Sequence, residues 1–280
     1  MILGYNTNGL AHHDPIAALE LLAETGYQCV SLTIDHQWIS PFASDLIAQR
    51  KRINACLRRL DLSTVIETGA RFLLDPRRKH FPSLVAPADE AAPRVRFIEY
   101  ACQVAAEQGS HCVSIWSGAK PNDWDLQTAW DSLAVNLENC LKFADQYEVE
   151  IGFEPEPGMF VDTIAAYERL LNWVSHPRLK LTMDVGHLFC QGELPIADYI
   201  RRSASRLVNV HIEDMNAGVH EHLMFGSGSM NFEPIIRTLA EVDYTGPLSV
   251  ELSRHSHDAV NAVQGAYNFL APLIANTSAK

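Results

Sequence analysis

Residues 207–214 read LVNVHIED, an apolar run that closes on an imidazole and two acids. Side chains alternate faces along a strand, and a strand covered on both faces reads as an unbroken apolar run. His211 is therefore expected at the carboxyl end of a buried parallel strand. Three more runs end in the same manner: VEIGFE (149–154) on Glu154, KLTMDV (180–185) with Asp184, and GPLSVEL (246–252) with Glu251. Ligating side chains at one end of four strands face a common rim, which predicts one divalent-metal site. Three carboxylates and an imidazole suit Mn²⁺ first, with Mg²⁺, Co²⁺ or Zn²⁺ as alternatives, and do not resemble a thiolate-rich structural zinc site. Gly152, Thr182, Asn209 and Ser249, two positions earlier, are small or polar and form the next inward layer. Phe153, Met183, Val210 and Val250 then point outward to the helices.

Four further runs precede these: ILGYN from 2, CVSLTID from 29, STVIET from 63 and CVSIWS from 112. Amphipathic stretches separate them. In PIAALELLAETGY, Ile16, Leu19 and Ala23 recur at helical spacing, Asp14 caps the start and Gly26 stops the helix. Further helices are read at about 44–60, 88–108, 123–147 and 162–174. Eight strand–helix units without a linker predict an α/β fold, a (β/α)8 TIM barrel forming a single domain over residues 1–280. Function then sits at the carboxyl ends of the strands.

Composition narrows the function classes. Against 22 Lys plus Arg stand 34 Asp plus Glu, a net charge of -12, which repels phosphate backbones and argues against nucleic acid as a partner. The six cysteines, Cys29, Cys56, Cys102, Cys112, Cys140 and Cys190, show no CxxC spacing and read as reduced, mostly buried thiols. MILGYNTNG has no basic n-region, and no window reaches the roughly 18 apolar residues that a membrane span requires. A cytoplasmic location with no membrane partner is expected; a homo-oligomer is compatible with the composition.

The segments FEPEPG around Glu154, DVGH from Asp184 to His187, VHIEDM around His211, HEHLMFGSGSMNF, and YTGPLSVEL containing Glu251 together resemble the xylose isomerase-like TIM-barrel superfamily. That superfamily includes sugar isomerases, ketose 3-epimerases, inosose dehydratases and endonuclease IV, and the resemblance covers nearly the whole chain. In its epimerase-type members a Glu, Asp, His, Glu quartet binds one divalent cation. The resemblance maps that quartet onto Glu154, Asp184, His211 and Glu251. Its three-zinc members add histidines from the second and third strands and an Asp-x-His segment. Here His187 follows Asp184, and His220 and His222 precede Gly226, but strand two ends at Asp35 and His36, strand three at Glu67 and strand four at Trp116. One metal is therefore expected, and a DNA-repair nuclease is disfavoured.

A cation chelated by a substrate carbonyl and its neighbouring hydroxyl acidifies the adjacent C–H and stabilises the enediolate that results. Epimerisation then needs proton donors and acceptors on opposite faces, which Glu154 and Glu251 can supply and which the family uses. The expected activity is a metal-dependent isomerase or epimerase of a sugar or cyclitol, with a small polar carbonyl compound as partner. The nearest alternative is a dehydratase of an inosose or dehydroshikimate-like substrate; further off lie an endonuclease IV-like phosphodiesterase and a non-catalytic metabolite-binding barrel.

Other residues have two readings each. His187 bonds a substrate oxygen, its family role, or is a capping histidine. Glu156 shares parity with Glu154 and faces the pocket, or belongs to a loop turned by two prolines. His222 lines the rim; His220 is solvated or joins it on a second metal. Arg71 clamps a carboxylate, phosphate or hydroxyl, or forms a surface ion pair. Arg77, Arg78, Lys79 and His80 make a solvated basic loop or a lid over an anionic substrate. Trp116 stacks on a sugar ring and Asn6 bonds a hydroxyl, or both simply pack. The FGSGS glycines fit neither a phosphate loop nor a dinucleotide fingerprint.

Overall fold

The computed structural model describes residues 1–69 and 71–277. Its eight parallel barrel strands are β1 (Ile2–Asn6), β2 (Cys29–Thr33), β3 (Ser63–Glu67), β4 (Val113–Ile115), β5 (Ile151–Phe153), β6 (Leu179–Asp184), β7 (Leu207–Ile212) and β10 (Pro247–Val250). They close in the order β1-β10-β7-β6-β5-β4-β3-β2. A two-stranded antiparallel ribbon, β8 (Asp214–Asn216) and β9 (Val219–Leu223), stands apart from the barrel. The predicted (β/α)8 fold is thus the observed one.

Local chemistry explains the helix boundaries. Asp14 Oδ1 accepts from the amides of Ile16 (2.9 Å) and Ala17 (3.3 Å) at the start of α1 (Pro15–Thr25), and Gly26 ends it at φ 113°. Helices α2 (Leu46–Leu60), α3 (Ala88–Gln108), α4 (Leu126–Tyr147) and α5 (Ile164–Trp173) lie close to the expected spans. The unit after β6 is richer than expected, with α6 (Val185–Gln191) and α7 (Ile196–Ser203) in succession. There Asp184 ends the strand and caps α6, its Oδ1 accepting from His187 N at 2.9 Å. The helices α8 (Phe232–Glu241) and α9 (Ala259–Thr277) complete the outer ring.

The expected layering is present. Phe153 packs against Tyr167 of α5 with ring centroids 6.1 Å apart, on the helical side of the sheet. Inside, the Ser31 hydroxyl donates to Ser249 at 2.7 Å and Asn209 reaches the Glu67 carboxylate at 3.3 Å. A Cβ at Gly152 would collide with the Thr182 hydroxyl, so the small residue there leaves room for its inward neighbour. All six cysteines are free, and five are buried.

The long loop between β3 and α3 is pinned from below by Arg94. Its guanidinium is almost wholly buried and donates to the carbonyls of Pro82 (2.9 Å), Thr68 (3.0 Å) and His80 (3.1 Å). Burial pushes the guanidinium down to about 10, still charged at neutral pH. Arg94→Met would strand those carbonyls, and leaving buried acceptors unpaired is expected to lower stability by about 3 kcal/mol. Urea denaturation of the variant checks this; an unchanged midpoint would refute the pinning role.

Candidate active site

The carboxyl ends of the strands open onto a cavity of about 220 Å³. Glu154, Glu251 and His211 line it together with Glu67, Glu156, His220, His222, Asn6, Arg71 and Trp116. Parallel register places Asp184 beside His211 and Ser249 beside His211, so β6, β7 and β10 deliver their polar ends at one level.

His211 is the hub. Its Nδ1 lies 2.9 Å from both Glu154 Oε1 and Glu251 Oε2, and its Nε2 lies 2.9 Å from Glu67 Oε1. Burial alone would lower the imidazole; Glu154, Glu67 and Glu251 together hold it well above its ordinary value. Burial raises Glu154 to about 8, against the opposing pull of His211, and pushes Glu156 and Glu213 well up. Burial also works against ionisation of Glu251, but His211 and the neighbouring histidines hold it below its ordinary value. Asn8 steadies that carboxylate with a 2.7 Å bond from Nδ2 to Oε1.

Glu154, Asp184, His211 and Glu251 each offer a ligand atom, and these atoms lie within 4.8 Å of one another. Asp184 Oδ2 is buried and accepts no hydrogen bond. A buried carboxylate oxygen left unpaired amid further carboxylates is costly unless a cation meets it. The donor set, oxygen-rich with one imidazole, fits a divalent cation. The sequence-derived quartet is therefore brought together.

The remaining candidates fall into place as follows. The His187 ring is buried, with Nδ1–H donating to Pro155 O at 3.2 Å, so Nε2 carries the lone pair and lies 3.3 Å from Asp184 Oδ2 and 3.1 Å from His220 Nε2. His222 Nδ1–H donates to Glu251 O at 3.2 Å. Thus His187, His220 and His222 form a second group able to hold a cation, and His220 is no free solvated residue. Glu156 does face the cavity, 3.7 Å from His187 Nε2. Asn6 is largely committed internally, its Oδ1 accepting from Asn8 N (3.0 Å) and the Thr33 hydroxyl (2.7 Å). Arg94 lies over the Trp116 ring at 4.9 Å and the His80 ring meets it edge-on at 5.2 Å, so part of that aromatic surface is already covered. Asp35 and His36 lie in a separate hollow with Thr33 and Trp38.

A family model described as xylose isomerase-like TIM barrel matches residues 19–273. The chain belongs to that family. Among curated relatives, an inosose dehydratase of Clostridium botulinum is 29% identical over 139 residues, covering 44% of this chain and 46% of the relative. An uncharacterized protein of Methanocaldococcus jannaschii is 25% identical over 210 residues, covering 69% of this chain and 71% of the relative. The chain thus spans about half the length of the dehydratase it matches. Among solved structures, a D-tagatose 3-epimerase-like protein superposes with a TM-score of 0.82 at 19% identity, covering 100% of this chain and 99% of the other. An IolI protein with a bound zinc atom superposes with a TM-score of 0.77 at 15% identity, each chain covered to 99%. At such identities the structural likeness speaks for the shared xylose isomerase-like barrel.

Three site features escape a reading of runs and ends. Glu67 closes β3 as Glu154 follows β5, yet its role depends on meeting His211 across the barrel. Glu213 shares the parity of His211 and is wholly buried, with neither carboxyl oxygen hydrogen-bonded, against Gly186, where any Cβ would collide with it. Asp214 gathers the FGSGS loop: Oδ2 accepts from the amides of Gly226 and Gly228 (both 2.9 Å), Oδ1 from Met215 (3.0 Å) and Met230 (3.1 Å). The glycines serve this close approach, since a Cβ at Gly228 would strike the carboxylate.

His80 supplies a pH test of the loop. Burial first, then Lys79, Arg94 and Arg71, push it from 6.5 down to about 4. Between those values the unfolded chain binds the extra proton, so stability is present above 6.5 and is lost as pH falls toward 4. His80→Gln removes this contribution, so its stability relative to the native chain should improve as pH is lowered through that range. Urea midpoints at several pH values measure it; a constant difference would contradict the assignment.

Proposed function

We propose that this chain is a divalent-metal-dependent isomerase or epimerase of a sugar or cyclitol. The observation that carries the reading is the convergence of ligand atoms of Glu154, Asp184, His211 and Glu251, three of which line the cavity together with Glu67 and Glu156. Mn²⁺ is the cation best matched to that donor set, with Mg²⁺, Co²⁺ or Zn²⁺ as alternatives. When bound, the ion supplies Lewis acidity toward the carbonyl and hydroxyl oxygens of the substrate. Glu154 and Glu251 approach His211 Nδ1 from separate strands, and from those positions one removes the proton beside the carbonyl and the other returns it. Asn8 keeps the Glu251 carboxylate oriented, and Glu67 fixes the His211 ring by accepting from Nε2–H, which leaves Nδ1 free to ligate. His187 Nε2 and His222 present polar edges to substrate hydroxyls, while the small polar carbonyl compound fills the remaining space. A cytoplasmic setting suits such a substrate.

Dehydration is the second reading, favoured by the similarity to inosose dehydratases. It begins with the same proton removal and ends with loss of a β-hydroxyl. Ketoses and inososes incubated with Mn²⁺ in deuterated water separate the two by NMR and mass spectrometry: deuterium at one carbon without loss of water marks epimerisation, loss of water marks dehydration. Glu154→Gln and Glu251→Gln should each slow exchange by about a hundredfold or more. Absence of exchange with every compound in the native protein would end the catalytic reading.

The role of Glu67 is tested by binding alone. Glu67→Gln should weaken Mn²⁺ binding about 10- to 100-fold, as loss of a histidine-orienting carboxylate does elsewhere. Isothermal titration gives the affinity, and an unaltered value would remove Glu67 from the centre.

A further inference from the structure

The cavity lining carries both charges. Glu67 ends β3, Glu154 and Glu156 follow β5, and Glu251 follows β10. The loop after β3 contributes Arg71, Lys79 and His80 to the same lining. Two features make those residues a unit. The His80 amide donates to Arg71 O at 2.7 Å, which closes the loop so that Arg71 and the Lys79–His80 pair lie side by side. Beneath them Arg94 holds the carbonyl of His80 and those at Thr68 and Pro82.

The cations at this mouth are not equivalent. Arg254, on the loop after β10, is paired with Glu221 at 2.8 Å. Arg71 is half-buried, donates from Nη2 to Ser253 O at 3.2 Å, and meets no carboxylate among the described residues. Lys79 likewise has no carboxylate partner among them. The His80 Nδ1 atom, on the same loop, is buried and has no hydrogen-bond partner. In a chain of net charge -12, two cations without a carboxylate partner among the described residues thus line a cavity that also holds Glu67, Glu154, Glu156 and Glu251. A neutral sugar has no group that requires them. An oxyanion does, because a fixed guanidinium offers paired N–H donors and an ammonium adds a point charge.

We propose that Arg71 and Lys79, together with His80, form an anion subsite. The substrate is then a carbonyl compound carrying a carboxylate or phosphate ester at the end remote from the reacting carbon. The inference rests on the metal-and-carboxylate reading of this cavity, and it narrows the substrate class for that site. It also gives the basic loop a binding role in a fixed position.

Isothermal titration of the Mn²⁺-loaded protein with D-ribulose, D-ribulose 5-phosphate and D-fructuronate, a 2-ketose whose carboxylate lies at C6, tests it. At least one anionic compound should bind about tenfold or more tightly than D-ribulose, the worth of one charge-assisted bond or better. Preference for the phosphate ester or for the carboxylate decides which anion the subsite serves. Lys79→Gln and Arg71→Gln should each remove most of that preference, and Arg71→Lys should restore part of it, which separates lost recognition from lost folding. D-ribulose binding as well as both anionic compounds, or a preference surviving the double variant, would overturn the subsite. The catalytic reading fails differently: no deuterium exchange in any compound, with the anion preference intact, would remove the chemistry and leave the subsite standing.

Discussion

A single buried imidazole meets three carboxylates from three places on the barrel rim. His211 touches Glu67 at the end of β3, Glu154 after β5 and Glu251 after β10, each at 2.9 Å. No pair of these side chains would stay ionised in the interior alone, because desolvating a carboxylate is far more expensive than one contact returns. Their arrangement is stable only as a set, and the set exists only if the strands keep their register. A slip by one residue in β7 would turn His211 to the helices and Val210 to the rim. Packing of Phe153, Met183, Val210 and Val250 against the outer helices therefore holds the chemistry in place as surely as any hydrogen bond at the site.

The second constraint lies where β7 ends. Had the run LVNVHIED continued as strand, Glu213 would point inward with His211 and nothing would close the rim above it. Instead the chain leaves the sheet, and Asp214 folds the glycine-rich segment onto its carboxylate with three amide bonds from it, from Gly226, Gly228 and Met230, beside one from Met215. That fold brings β9 over the cavity and sets His220 and His222 against His187. Gly186 belongs to the same construction. Because α6 begins at once after Asp184, its first turn passes so close to Glu213 that a side chain at 186 has no room. The two histidines above the site thus owe their position to an aspartate that never touches the cavity.

The extent to which this was legible follows from the range of each interaction. Buried parallel strands announce themselves as apolar runs, and a ligating residue at the end of a run carries its position with it. The eight strands and the convergence of Glu154, Asp184, His211 and Glu251 are readable for that reason. Glu67 ends its run in the same way, but its partner lies 144 residues away, and a lone carboxylate on the far side of the barrel gives no sign of which histidine it meets. Asn8 and Glu251 are separated by 243 residues. The ribbon of β8 and β9 is short and polar, without the alternation that marks a half-buried strand, so its sequence reads as loop. Trp116 shows the opposite failure: its placement on the rim is correct, but the arginine that covers part of its ring comes from a helix and leaves no mark in the run.

Two arginines at the β3–α3 loop show how the same side chain divides between structure and recognition. Arg94 is enclosed, and its donors are matched by three main-chain carbonyls that hold the loop in one shape. Nothing remains for a ligand. Arg71 shares that loop but gives one bond to Ser253 and lines the cavity. A loop of this length without Arg94 would pay the full entropy of ordering whenever an anion bound, and much of the electrostatic gain would be lost. With the carbonyls already held, the cations stand in position before any ligand arrives. The buried arginine therefore makes Arg71 and Lys79 selective, because preorganised charge distinguishes an anionic from a neutral ligand more sharply than mobile charge does.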